Sequence, residues 1–331
     1  MRVGVLGTFV WDIIYGRDVR TGPVEEWGGI TYALSAFDAA LPEAWDLVPL
    51  LKVGADLADR ARAYLRTLRR LAPDAALIEV PYANNRVELR YQSAERRSER
   101  LQGGVPGWSW IGLKPLLRDL DALYVNFISG VELDLETFQL VRQHFRGPIY
   151  CDLHSLLLAT QPGGGRTPRT LPNVAAWCRC ADLLQVNEDE MALLAPEPMA
   201  LAATALAAGV KCLSVTLDSR GVVYFASPDF DTLDGLWGRG NHAATGSARA
   251  AAGGPVRTAR VPAAHVPSGG PDGGDPTGCG DVWGATYFSR LLAGDMLADA
   301  MCVAVAAAAR NVGYRGASGL AHHLRGELSP T

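Results

Sequence analysis

Short apolar and β-branched runs alternate with stretches of helical periodicity along most of the 331-residue chain, the pattern that βαβ units make when they wind around a parallel sheet. Strands are expected at Val3–Leu6, Leu47–Val53, Ala122–Ile128, Ile149–Leu153, Leu183–Val186, Cys212–Leu217 and Val222–Ala226. Most are too uniformly apolar to keep one face wet, so helices should cover both faces of the sheet. A helical stripe of Tyr32, Ala33, Ala36, Phe37 and Ala40 predicts a helix over Thr31–Leu41. Similar spacing predicts helices over Leu57–Leu71, Leu135–Phe145, Met199–Ala208, Asp281–Ala293 and Leu297–Val312, with Gly209 and Gly294 as stops.

Two stretches break this alternation. Residues 12–28 and 79–106 contain polar-alternating runs such as Arg86-Val87-Glu88-Leu89-Arg90-Tyr91, which predict a small antiparallel sheet apart from the main layer, a lid. Residues 229–274 are rich in Gly, Ala, Ser and Pro. They are expected to form a mobile loop, interrupted by a strand near Val256–Val266, because little apolar surface is available to offset ordering entropy. The expectation is one α/β domain over residues 1–331 with these two excursions.

Composition narrows the class. Apolar residues make up 48% and charged residues 20%, which suits a soluble globular chain and excludes a disordered or fibrous one. Net charge is −4, and the one dense arginine run, Arg96 to Arg100, carries its own glutamate, so nucleic acid is not an expected partner. Six cysteines scattered through so long a chain read as reduced thiols in a cytosol, with Cys178-x-Cys180 structural. The N-terminus lacks a signal-type apolar core, and the run Ala300–Ala309 is about half a membrane span. His322-His323 reads as surface.

The chemistry concentrates in Asp275-Pro276-Thr277-Gly278-Cys279-Gly280-Asp281, which leads directly into a helical run. A helix N-terminus offers unpaired amides and partial positive charge, and glycines let an anion come close. Asp281 beside such an anion is useless as its ligand but well placed to take a proton from an attacking hydroxyl. The plainer alternative is a glycine turn capping a helix, with Asp281 as N-cap. No Gly-Lys-Ser/Thr exists, which excludes a P-loop, and the first strand leads into Gly7-Thr8-Phe9 rather than a dinucleotide fingerprint.

Thr277-Gly278-Cys279-Gly280-Asp281 resembles the signature of the PfkB, or ribokinase-like, carbohydrate kinases. In that family's order come also Asp12, Gly28-Gly29, Gly54-x-Asp56, Asp152, Asn187-Glu188-Asp189-Glu190, Thr216 to Gly221 and Gly316-Ala317. The resemblance implies a three-layer α/β sandwich with a mostly parallel central sheet and a small β lid. It implies Asp281 as catalytic base and Gly278, Cys279 and Gly280 as the anion hole. Asn187 and Glu190 would organise Mg2+; Thr216, Ser219, Gly221, Thr277 and Asn311 would lie along ATP; Asp12, Gly28, Gly29 and Asp152 would face the substrate. A monovalent cation such as K+ would sit near Gly316-Ala317. Independently, Asp152, Asn187 and Thr216 each fall at a predicted strand's carboxyl end, where open α/β sheets gather ligands. Asn187 and Glu190, three apart, suit either a shared hydrated Mg2+ or an ordinary cap with a first-turn Glu.

The chain departs from the family pattern in places. Ala33 stands where an Asn is usual, with Tyr32 before it, Asp218 stands where a glycine is common, and Pro276 and Cys279 replace the usual Thr and Ala, Cys279 as a small residue lining the loop. His154 replaces an Asn after Asp152, as either a substrate contact or a loop histidine, and the loop role is expected. Lid residues Asn85, Arg86, Arg90 and Tyr91 reach toward a substrate or are solvated. The function expected is an ATP-dependent kinase acting on a sugar-like hydroxyl compound. The alternatives are a nucleoside or vitamin-alcohol kinase, or an inactive ligand-binding homologue. An exposed lid edge allows pairing with a second copy, and a blunted edge is equally compatible.

Overall fold

The computed structural model describes residues 1–15, 22–91, 97–237, 255–265 and 274–328. The chain opens with β1 (Arg2–Leu6), β2 (Phe9–Tyr15) and β3 (Val24–Gly29), then α1 (Ile30–Ala40). Next come β4 (Asp46–Leu50), β5 (Lys52–Gly54), α2 (Ala58–Leu65), β6 (Ile78–Val80), β7 (Asn85–Tyr91) and β8 (Arg97–Gln102). The middle holds α3 (Trp110–Leu113), β9 (Ala122–Asn126), α4 (Leu135–His144), β10 (Ile149–Asp152), and a short hairpin of β11 (Leu158–Thr160) and β12 (Arg166–Pro168). It continues with α5 (Val174–Cys178), β13 (Leu183–Asn187), α6 (Glu188–Leu194), α7 (Pro198–Ala207) and β14 (Cys212–Thr216). Then β15 (Val222–Ala226), β16 (Arg257–Val261), α8 (Cys279–Leu292), α9 (Leu297–Val312) and α10 (Leu320–Leu324) complete it.

The main sheet has eight strands in the order β16-β15-β14-β13-β10-β9-β1-β4. Pairs from β14 to β4 run parallel, and β15 and β16 add antiparallel. Period-two alternation divides its side chains between two cores. On β9, Ala122 and Tyr124 join the core under α1, α8 and α9, while Leu123 and Val125 join the core under α4, α5 and α7. Three layers result.

Some expectations shift. The expected strand Leu47–Val53 is two: Leu51 separates them, and Lys52–Gly54 pairs with β6. The helix expected over Leu57–Leu71 stops at Leu65, and beyond it Ala72 donates to Leu47 O at 2.9 Å. Ala122–Ile128 ends at Asn126. Within 229–274, Phe230, Leu233 and Leu236 are buried and β16 pairs with β15, so this part is packed; residues 238–254 and 266–273 lie outside the described residues. His323 is also buried rather than on the surface, with Nε2 3.0 Å from Arg310 O and its ring stacked on Tyr314.

The lid is a four-stranded sheet, β3-β2-β7-β8. It is mixed, not antiparallel throughout: β2 and β7 run parallel, because the chain passes through α1, β4 and α2 between them, the long crossover that parallel pairing requires. The outer strand β8 is tied to the body. Leu101 N donates to Gly164 O at 2.8 Å, and buried Arg166 bonds Glu99 Oε1 at 2.8 Å and Ser129 O at 3.1 Å.

Gly284 on α8 faces the sheet, where an added Cβ would lie 2.5 Å from Gln185 Oε1 and 2.6 Å from the Tyr150 hydroxyl. Both groups are buried, so Gly284→Ala forces a polar pair apart. We expect a loss of about 1–3 kcal/mol, read by urea unfolding.

Candidate active site

The carboxyl ends of neighbouring parallel strands bring polar side chains into a row. Asn126 ends β9, Asp152 ends β10 in register with it, Gln185 lies opposite Asp152 on β13, and Asn187 pairs with Thr216 of β14. Above this row sits the start of α8. Its N-cap is Gly278, with φ 75°. This left-handed conformation suits glycine, and a Cβ there would also lie 2.2 Å from the Tyr32 ring. Asp281 is thus the third residue of the helix, not its N-cap.

The amide of Cys279 is engaged by Pro276 O at 3.1 Å, and Thr277 N by Asp275 Oδ1 at 2.9 Å. Among the described residues, Gly278 N and Gly280 N have no protein acceptor. Two of the three expected anion-hole amides are therefore unengaged at a helix N-terminus. The Cys279 thiol is packed inward: Sγ lies 3.4 Å from Ala308 O and 3.3 Å from Asn311 Nδ2, and burial pushes its pKa up to about 11. Such a thiol is inert at neutral pH.

Asp281 is partly buried. Its Oδ1 accepts from Asn126 Nδ2 at 2.6 Å, and Gln185 Nε2 holds the preceding carbonyl, Gly280 O, at 3.2 Å. Burial raises the Asp281 carboxyl to about 6, against the opposing pull of the His154 imidazole and the Asn126 bond. Asp152 lies well above the carboxylate range because it is buried and faces Glu190 and Asp281. His154 joins these carboxylates, with Nδ1 2.9 Å from Glu190 Oε1. Burial works against its charge, yet the Glu190 bond and the carboxylates of Asp152 and Asp281 raise it to about 10. The expected loop histidine therefore lies beside these carboxyls, which favour its charged form.

Asn187 and Glu190 form a full capping box on α6, with Asn187 Oδ1 taking Glu190 N and Glu190 Oε2 taking Asn187 N, both at 2.8 Å. Asn187 Nδ2 also donates to Glu190 Oε1 at 2.8 Å. The capping alternative is thus realised. Among the described residues no three His, Cys, Asp or Glu side chains gather as a direct metal-ligand set. The donors do not fit a directly liganded ion; the surplus of carboxylates at Asp152, Glu190 and Asp281 fits a cation that keeps its own waters.

On the substrate side, Gly28 is required by Asp12. A Cβ at Gly28 would lie 1.8 Å from Asp12 Oδ2, and Asp12 is buried. Gly29, φ 58°, caps α1. Burial, then the carboxylates of Glu26, Asp12, Asp275 and Asp281, raise the Tyr32 hydroxyl, so this ring lies between the lid root and the α8 turn, while Ala33 is buried. Arg90 stays in the lid, 3.8 Å over the Tyr15 ring and 3.5 Å from Glu88. Asn85 Oδ1 takes Val105 N at 3.2 Å, and Arg86 pairs with Asp56 at 2.6 Å.

The donor-side residues divide. Thr216 stands at its strand end, and Ser219 lies exposed in the turn beyond it. Gly221, φ 96°, is where a Cβ would lie 2.1 Å from Val261 O, so it admits β16. Asn311, expected along ATP, is completely buried and donates to Thr277 O at 2.9 Å, supporting the turn before α8 from beneath. Sequence reading overlooked Asn126 and Gln185. The signal was present: Asn126 is a polar residue at the end of an apolar strand, as Asp152 is, and Gln185 is a polar residue inside one.

The raised Asp281 carboxyl has a consequence for stability. An acid whose pKa is higher folded than unfolded holds its proton better in the folded state, so it stabilises at low pH and loses that contribution as pH rises through about 6. Asp281→Asn is expected to be more stable than the parent by up to about 2 kcal/mol above about pH 7, the difference vanishing below about pH 4. Urea titrations across that range measure it.

No protein-family model and no curated protein matches the sequence. Solved structures do match along nearly the whole chain. Ribokinase from Thermotoga maritima superposes with a TM-score of 0.68 at 16% identity, covering 98% of each chain. A nucleoside kinase of Burkholderia thailandensis in complex with inosine gives 0.67 at 14%, covering 97% of this chain and 94% of that one. A pyrophosphate-dependent kinase in the ribokinase family, complexed with a pyrophosphate analog and myo-inositol, gives 0.69 at 14%, covering 96% of each. With its parallel sheet, two helical layers and β lid, the chain has the fold of the ribokinase family.

Proposed function

We propose that the protein is a phosphotransferase that moves the γ-phosphoryl group of ATP to a hydroxyl of a neutral, sugar-like acceptor. The observation that carries this is Asp281: a carboxyl raised to about 6, at the mouth of a helix whose Gly278 and Gly280 amides have no acceptor among the described residues. The acceptor hydroxyl gives its proton to Asp281 as its oxygen bonds the γ-phosphorus, and the bond to the ADP oxygen breaks. The two amides receive the migrating negative charge. Thr216 and Ser219 border the donor. Mg2+, held through its waters by Glu190 and Asp152, would neutralise charge on the donor phosphates. Glu26 presents a buried Oε1 without a partner beside Gly316, which supports a monovalent cation such as K+ at that turn.

Charge supports the acceptor class. Asp12, Glu26, Asp275 and Asp281 all act on the Tyr32 hydroxyl, and the lid arginine Arg90 is turned to Tyr15 and Glu88. An anionic acceptor would be repelled, so neutral sugars, cyclitols and nucleosides are favoured over sugar acids and sugar phosphates.

The test is phosphoryl transfer to a panel of those acceptors with Mg2+, offering ATP or pyrophosphate as donor. Turnover is expected with a neutral acceptor, and Asp281→Asn should lower kcat by about a hundred- to ten-thousand-fold while donor binding stays within about two-fold. Folded protein that phosphorylates nothing in the panel would point to a ligand-binding protein without turnover. Parental kcat in Asp281→Asn would remove the base.

A further inference from the structure

The role given to Asp281 does not explain why a second polar side chain is sealed completely behind it. Asn126 ends the apolar strand Ala122-Leu123-Tyr124-Val125 and has no exposed surface. Its Nδ2 donates to Asp281 Oδ1 at 2.6 Å and lies 3.4 Å from the Tyr124 hydroxyl, while its Oδ1 is buried without a partner. An amide buried with half its capacity unmet is destabilising relative to an apolar residue of the same size, so packing does not account for it. Nor is it isolated. The Tyr124 ring stacks on Tyr150 at 4.9 Å, the Tyr150 hydroxyl donates to Gln185 Oε1, and Gln185 Nε2 donates to Gly280 O. Two amides rooted in different strands thus grip consecutive residues of the first turn of α8, one by its backbone and one by its carboxylate.

We propose that Asn126 is the positioning residue for the base: it holds Oδ1 of Asp281 by a charge-assisted hydrogen bond, so that the other carboxylate oxygen is the one offered to the acceptor hydroxyl. This rests on the reading of Asp281 as the base. Asn126 does not touch the reacting atoms; it fixes the carboxylate rotamer and favours its ionised form. Other groups acting on Asp281 are His154 and Asp152 at the end of β10, Glu190 on α6, Tyr32 on α1 and Tyr124 on β9. His154 and a backbone hydrogen bond at Asp281 itself also favour ionisation, and the acids and phenols oppose it, so an Asn126 substitution removes one of three supports.

The test has a readout that needs no substrate. Asp281 is followed by 13C NMR of carboxyl-labelled aspartate, its resonance identified by its loss in Asp281→Asn. Removing the donor in Asn126→Ala should raise the Asp281 midpoint by about one pH unit. Asn126→Asp keeps the size but sets two carboxylates together, and should raise it further. In the kinase assay the acid limb of kcat/KM should move with the NMR midpoint, with kcat down at least about ten-fold and donor KM unchanged. A residue that only fills space predicts a parental midpoint and parental kcat in Asn126→Ala and in the similarly sized Asn126→Leu, either of which decides should the other not fold; that outcome overturns the proposal. Failure of the base reading looks different, since turnover would then be indifferent to Asp281→Asn.

Discussion

The contact on which the site depends is the docking of the first turn of α8 onto the carboxyl edge of the main sheet. The helix dipole favours a carboxylate in the first turn, but burying one costs its hydration, and here the amide of Asn126 offsets that cost at 2.6 Å while Gln185 holds Gly280 O. In the same turn Gly278 N and Gly280 N have no acceptor among the described residues, at a helix start where an anion is favoured. The Asp281 carboxylate and these two amides lie in one turn, so any displacement of the turn moves them together. The Tyr32 ring packed on Gly278 and the buried Asn311 under Thr277 restrain it from two further sides.

Much of this was legible in the sequence. The strand and helix alternation gives the three-layer fold because buried parallel strands and amphipathic helices have different periods, and Gly278 to Asp281 stands out because an anion cradle is built from consecutive residues. What was not legible is what tertiary structure assembles. Asn126 fell inside an expected strand two residues too long, which disguised it as an interior position. His154 looked like a loop residue because its partner Glu190 is 36 positions away. Asn311 matched a family position, yet its amide is used by the loop it supports. The parallel pairing of β2 with β7 is hidden for a related reason: alternation identifies a strand but not its neighbour's direction.

The lid is less free than the word suggests. Arg166, nearly fully buried, bonds Glu99 on β8 and the carbonyls of Ile128 and Ser129 on the body, while Leu101 N donates to Gly164 O. Losing either partner of a buried charged pair is costly, so β8 is a fixed wall at that end. The hairpin also covers part of the edge that would otherwise pair with a second copy.

Charge sets the remaining constraint. Asp152, Glu190 and Asp281 face one imidazole, His154, and Asp12, Glu26 and Asp275 add to the negative side around Tyr32. One positive charge cannot offset three buried carboxyls, which is why burial and mutual repulsion keep Asp152 protonated well above the usual range. Such a charge distribution attracts cations. On the proposed reading, a polyphosphate donor would enter only together with a cation that compensates it, so donor selectivity and cation dependence would share one physical origin, the screening of the carboxylates behind the start of α8.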